Sequence, residues 1–148
     1  MSDLLQLYQE IILSHNKSPL NYGTLEGHTG SAEANNPLCG DQVTVFWKSQ
    51  GDILTEITFF AQGCAISRAS ASMMTHLLKG KSIPEAREFY AKLMALLRGE
   101  DSGVALDGQL GDLVALSGVR KYPARIKCAT LAWHALIDNM TGPAGSRS

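Results

Sequence analysis

Excess charge is the first thing missing from this 148-residue chain, whose formal net charge is -1. Without a basic surplus, neither nucleic acid nor a membrane surface is an expected partner. Long apolar runs are missing too; none approaches the ~20 residues of a membrane span. Residues 1–15 are amphipathic and carry acids, unlike the basic-then-apolar pattern of a secretory signal. Cysteine is scarce: there are three, an odd number. None forms Cys-x-x-Cys, and no histidines are paired. This excludes zinc-finger and ribbon spacings and argues against a disulfide framework. The expected compartment is the reducing cytoplasm, where thiols stay free to bind metal or react. There is no internal repeat and no linker, so residues 1–148 read as one domain, with 141–148 a frayed tail.

What is present begins with a helix over residues 3–14. Leu4, Leu5, Tyr8, Ile11 and Ile12 fall on one stripe at helical spacing. Residues 16–36 are rich in Gly, Asn and Thr and read as a long irregular loop. Residues 41–48 alternate as a strand through Val43, Val45 and Trp47, with Phe46 the exception. Ser49-Gln50-Gly51-Asp52 signals a hairpin turn. Residues 53–60 form a second extended region, bent into two strands, that ends at Gly63. A helix follows over 65–78, its first half short-chained enough for another backbone to approach closely. Ser82 and Glu85 form a capping box for a helix over 84–98. Residues 99–111 are a polar connector, and 112–116 one helical turn. Pro123 opens a last helix that ends near Met140. The order predicts an α+β fold: a small antiparallel three-stranded sheet packed on several helices.

The thiols occupy distinct settings. Cys64 sits where a strand gives way to a helix. The unpaired N–H groups and dipole of a helix start favour a thiolate, which is both metal ligand and nucleophile. Cys39 lies on a loop between Pro37 and Gly40, with Asp41 two residues on. If Gly40 turns the chain, both side chains reach one ion. In the last helix Ile126, Thr130, Trp133, Ile137 and Met140 define a core stripe. Cys128 is about 200° around from Ile126 at 3.6 residues per turn, so it is expected opposite the core. Three thiols and one carboxylate suit a tetrahedral zinc shell. The histidines are poorer candidates. His15 and His28 have no partner in view, His76 is several turns from Cys64, and His134 is roughly 9 Å along the axis from Cys128. All four read as ordinary surface or half-buried residues.

Three stretches carry a resemblance when taken together. They are Asn35-Asn36-Pro37-Leu38-Cys39-Gly40-Asp41, the run from Gly63-Cys64-Ala65 to Met73-Met74, and Arg125-Ile126-Lys127-Cys128-Ala129-Thr130-Leu131-Ala132-Trp133. In this order they resemble the IscU/NifU-like iron–sulfur assembly family, and within it the SufU branch. The last thiol of the IscU branch follows a histidine; here it follows Lys127. The chain also carries an insertion of about twenty residues within 92–112, another mark of that branch. The resemblance implies Cys39, Asp41, Cys64 and Cys128 as Zn²⁺ ligands and Cys39 as sulfur acceptor. It implies an IscU-like fold and sulfurtransferase activity. Sulfur would come from a PLP-dependent cysteine desulfurase of the SUF system and pass to the SUF cluster scaffold complex. Release of the Cys39 thiolate is attributed to a desulfurase histidine taking its place on zinc. Arg125, one turn before Cys128, is a candidate for electrostatic support of the anionic site. Two alternatives stay open: a scaffold holding a [2Fe–2S] cluster on the same residues, and a purely structural zinc.

Overall fold

The computed structural model describes residues 2–37, 40–99 and 111–140, without the side chains of 2–5 and 120. Cys39, most of the 99–111 connector and the 141–148 tail lie outside the described residues. The element order is α1 (Ser2–Lys17), β1 (Gly30–Asn36), β2 (Asp41–Gln50), β3 (Ile53–Gln62), α2 (Ala65–Leu78), α3 (Ile83–Leu97), a 3-10 helix (Gly111–Lys121) and α4 (Pro123–Ile137). The expected α+β fold with an antiparallel three-stranded sheet is what forms.

The sheet runs β1-β2-β3 as a meander. Val43, Val45 and Trp47 of β2 and Ile57, Phe59 and Ala61 of β3 are buried, the alternation a one-sided sheet requires; Leu54 is buried out of that phase, beyond the register shift at Lys48/Ser49. Phe46 breaks that alternation because it faces the other way, its ring 5.3 Å from that of His28. The third strand is not the one expected. Residues 53–60 do not bend into two strands. They belong to the continuous β3, and the missing strand is β1, inside the stretch read as loop. Ser31, Glu33 and Asn35 are exposed while Ala32 and Ala34 are half-buried. Such residues have little strand propensity of their own. Pairing with β2, from Gly30↔Trp47 to Asn36↔Asp41, makes the strand.

Helix α2 lies on β3, and α4 packs on α2, β1, β2, α3 and the 3-10 helix. The short side chains of α2 allow the close approach expected of them. Ser67, Ala69, Ser70, Ala71 and Ser72 are buried, and the Ser70 hydroxyl donates to the Ala129 carbonyl of α4. Because α4 is enclosed on several sides, its burial runs through Cys128–Trp133 and on to Ala135 and Leu136. The single-stripe reading of α4 therefore fails. Ile126 and Ile137 are only half-buried, whereas Cys128 has 0% exposure. A helix gripped from several directions has no single apolar face for phase to reveal.

Two more expectations change. The segment read as one turn continues as a 3-10 helix over Gly111–Lys121, long for its type. Leu113, Ala115, Leu116 and Val119 are buried along it, so tertiary packing holds it. His15 is neither exposed nor alone. It sits inside α1, Nδ1 is 2.7 Å from the Ser72 hydroxyl, and Nε2 is 2.9 Å from Asp112. With Nε2 carrying the proton, that N–H donates to Asp112 and Nδ1 accepts from Ser72. The Ser72 oxygen in turn accepts the Leu20 N–H. The network ties α1 to α2 and the 3-10 helix across a sequence distance that no local pattern exposes.

Candidate metal centre

One end of the sheet carries the site. Asn36 closes β1 and pairs with Asp41, the first residue of β2. On the other side Gln42 pairs with Gln62, the last residue of β3, so Gly63 and Cys64 emerge beside Asp41. Gly63 has φ +125°, and a Cβ there would lie 2.8 Å from the Asp41 Cα and press on its carboxylate. Only glycine lets the chain pass this close while turning from strand to helix.

Cys64 then caps α2 in extended conformation, with no side-chain capping bond of its own. The capping acceptor comes from elsewhere: Asp41 Oδ1 accepts the Cys64 N–H at 2.8 Å. A carboxylate at a helix start is favourably placed against the exposed N–H groups and the helix dipole. The other oxygen, Oδ2, lies 3.4 Å from Cys64 Sγ. Asp41 is 2% exposed, so both oxygens of a buried carboxylate are turned onto Cys64.

Helix α4 brings Cys128 to the same place. Donor atoms of Asp41, Cys64 and Cys128 lie within 4.8 Å of one another. For comparison, donors around a tetrahedral zinc with ~2.3 Å zinc–sulfur bonds are about 3.8 Å apart. Two sulfurs and a carboxylate are thus near the spacing one ion needs, and they are the donor types zinc takes. Asp41 and Cys128 are buried and Cys64 is half-buried. Of the four expected ligands the structure gathers these three; Cys39 lies outside the described residues. None of the four histidines joins the cluster.

Arg125 is exposed on the first turn of α4. It lines a cleft of about 510 Å³ with Tyr8 and Ile12 of α1, Ile66 of α2, and Val119 and Tyr122. The cleft reaches the first turn of α2, next to Cys64.

Asn36 was not singled out from the sequence. It is 4% exposed, and its Nδ2 lies 3.6 Å from Cys128 Sγ. The same sulfur is 3.7 Å from the Ala124 carbonyl one turn earlier. Only position hinted at the role of Asn36, which ends an Asn-Asn-Pro run just before Cys39.

The chain matches the NifU-like N-terminal domain family over residues 7–129. It is 44% identical to the zinc-dependent sulfurtransferase SufU of Bacillus subtilis across 91% of this chain and 90% of that one. It is 39% identical to the iron-sulfur cluster assembly scaffold protein IscU of Streptococcus pyogenes, across 93% of this chain and 85% of that one. A crystal structure from Fervidobacterium islandicum, described as a candidate cluster assembly scaffold for the SUF system, matches with a TM-score of 0.77. It is 32% identical, over 85% of this chain and 90% of that one.

Proposed function

Since the chain belongs to the NifU-like N-terminal domain family of iron–sulfur cluster assembly proteins, we propose that it is a zinc-dependent sulfurtransferase of a SUF-type pathway. The observation that carries this reading is the convergence of Asp41, Cys64 and Cys128 from three separate elements. With Cys39 they would complete a four-ligand set for zinc. The bound ion would hold thiols as thiolates near neutral pH and bring no redox chemistry to a persulfide. The chain's own residues do the rest. Asp41 positions the Cys64 end of the site, and α4 holds Cys128 in the core. Cys39 supplies the nucleophile. Its thiolate attacks the outer sulfur of a persulfide on a PLP-dependent cysteine desulfurase. A new S–S bond forms on Cys39, the old one breaks, and its electron pair leaves on the desulfurase cysteine as thiolate. The proton stays on the transferred sulfur, which Cys39 then carries to the SUF cluster scaffold complex. Arg125, three residues before Cys128, would support the anionic site electrostatically.

The test is sulfur release from cysteine by a SUF-type desulfurase, with the protein zinc-loaded and then metal-stripped. Stimulation by the zinc form alone, lost in Cys39→Ala while the fold survives, is the expected result. Full stimulation by Cys39→Ala would remove Cys39 from its role. A second reading, a scaffold holding a [2Fe–2S] cluster, has its support in the similarity to IscU proteins. It predicts a stable, transferable chromophore after reconstitution with iron and sulfide. Lys127, where the IscU branch has histidine, weighs against it.

A further inference from the structure

We propose that Asn36 is a positioning residue that makes Cys128 the fixed, protected sulfur of the site; this rests on the reading of the site as a zinc–thiolate centre. Burying an amide side chain is costly unless its groups are bonded. Asn36 is buried where it closes the β1–β2 ladder, directly opposite Asp41, and its amide N–H donates to Cys128 Sγ at 3.6 Å. The donors of the centre are therefore not equivalent. The Cys128 sulfur has an N–H aimed at it and sits on a helix enclosed on several sides. Each sulfur has an oxygen nearby, Asp41 Oδ2 at 3.4 Å for Cys64 and the Ala124 carbonyl at 3.7 Å for Cys128, so the side-chain N–H of Asn36 is what sets Cys128 apart. An N–H bond to a thiolate withdraws charge from sulfur, which holds it in place and lowers its appetite for electrophiles.

The backbone of Asn36 has a second task. Its carbonyl accepts the Gly40 N–H at 2.8 Å, just before Asp41 opens β2. One residue thus braces the Cys128 sulfur and ties the end of β1 to the approach to β2. A chain that gives up one thiolate of three needs such an asymmetry, and Asn36 supplies it.

The variants are Asn36→Asp, which keeps the shape and removes the N–H, Asn36→Ala, which removes the side chain, and Asn36→Gln, which keeps a donor. Three properties are read: zinc affinity by chelator competition, the thiolate-to-cobalt charge-transfer band of the Co²⁺-substituted protein, and the order in which iodoacetamide modifies the cysteines of the zinc form. Loss of the N–H should weaken zinc binding by about 10–100-fold. It should also move the cobalt band to lower energy and advance Cys128 in the order of modification. Asn36→Gln should recover part of the affinity and of the band position, which a merely structural role would not predict. Wild-type affinity and an unmoved band in Asn36→Asp and Asn36→Ala would overturn the proposal while leaving the metal centre intact. Absence of any thiolate–cobalt band in the wild type would sink the proposal and the reading of the site together. None of these readouts involves the desulfurase, so failure of sulfur transfer is scored separately.

Discussion

Replacing Gly63 by alanine should damage this protein more than any other single methyl group at a loop glycine near the site. Two effects add. The backbone at Gly63 has φ +125°, which costs a residue with a side chain roughly 1–3 kcal/mol. The new methyl would also meet the Asp41 Cα at 2.8 Å, and because that atom is backbone no rotamer change relieves it. Overpacking of this kind costs about 1–3 kcal/mol more. The total expected is about 2–6 kcal/mol. Gly40→Ala is the control. Gly40 also has positive φ, +72°, but nothing lies within 4 Å of a Cβ there. That substitution carries only the conformational term, about 1–2 kcal/mol. Urea unfolding of the reduced, metal-free protein, followed through the buried Trp47 and Trp133, measures both. The contact also pushes the Asp41 carboxylate out of place, so Gly63→Ala should bind zinc more weakly in chelator competition. Equal destabilisation by the two variants, or wild-type zinc affinity in Gly63→Ala, would refute the argument that close passage beside Asp41 is what demands glycine.

Asp41 should reveal two roles through two substitutions. In the metal-free protein Asp41→Ala leaves the Cys64 N–H without its acceptor and should cost about 1–3 kcal/mol, whereas Asp41→Asn keeps an oxygen there and should cost clearly less. Both should weaken zinc binding, and equal metal-free stabilities in denaturation would dismiss the capping role. At the start of α3, Ser82 and Glu85 make a capping box, and Ser82→Ala should cost about 1 kcal/mol. The backbone and side-chain hydrogen bonds from Ser82 hold the Glu85 carboxyl below the usual carboxylate range. Its contribution is complete above the ordinary glutamate pKa and disappears as pH falls through the lowered folded value. Glu85→Gln should therefore flatten stability against pH within that window, and an unchanged profile would count against the linkage.

The sequence was legible where one local rule decides the outcome. The β2–β3 hairpin follows from alternation and a turn signal, the start of α2 from the glycine break before Cys64, and α3 from its capping box. It was illegible where a distant partner decides. Gly30–Asn36 is a strand because β2 lies alongside, and its own Ser, Ala, Glu and Asn residues give no sign of it. Cys128 looked turned away from the core because helical phase presumes one buried face, and α4 has several. His15 finds Ser72 and Asp112 only after three elements have packed. Asp41, Cys64 and Cys128, which the structure gathers, were identifiable as candidate donors by residue type and by resemblance. The amide of Asn36 was not, since nothing local distinguishes a buried asparagine from the exposed one before it.

The wide spacing of the donors along the chain has a consequence for the newborn protein. Asp41 and Cys64 leave the ribosome well before Cys128, which is supplied by α4, the last helix described. At about 5–20 residues per second, the stretch between Cys64 and Cys128 takes on the order of 3 to 13 seconds to synthesise. During that interval Asp41 and Cys64 lack the third candidate donor, Cys128. Under the proposed function, ion capture waits until the sheet and α4 have docked. Geometry already in place, rather than the first metal encountered, then governs which ion is accepted.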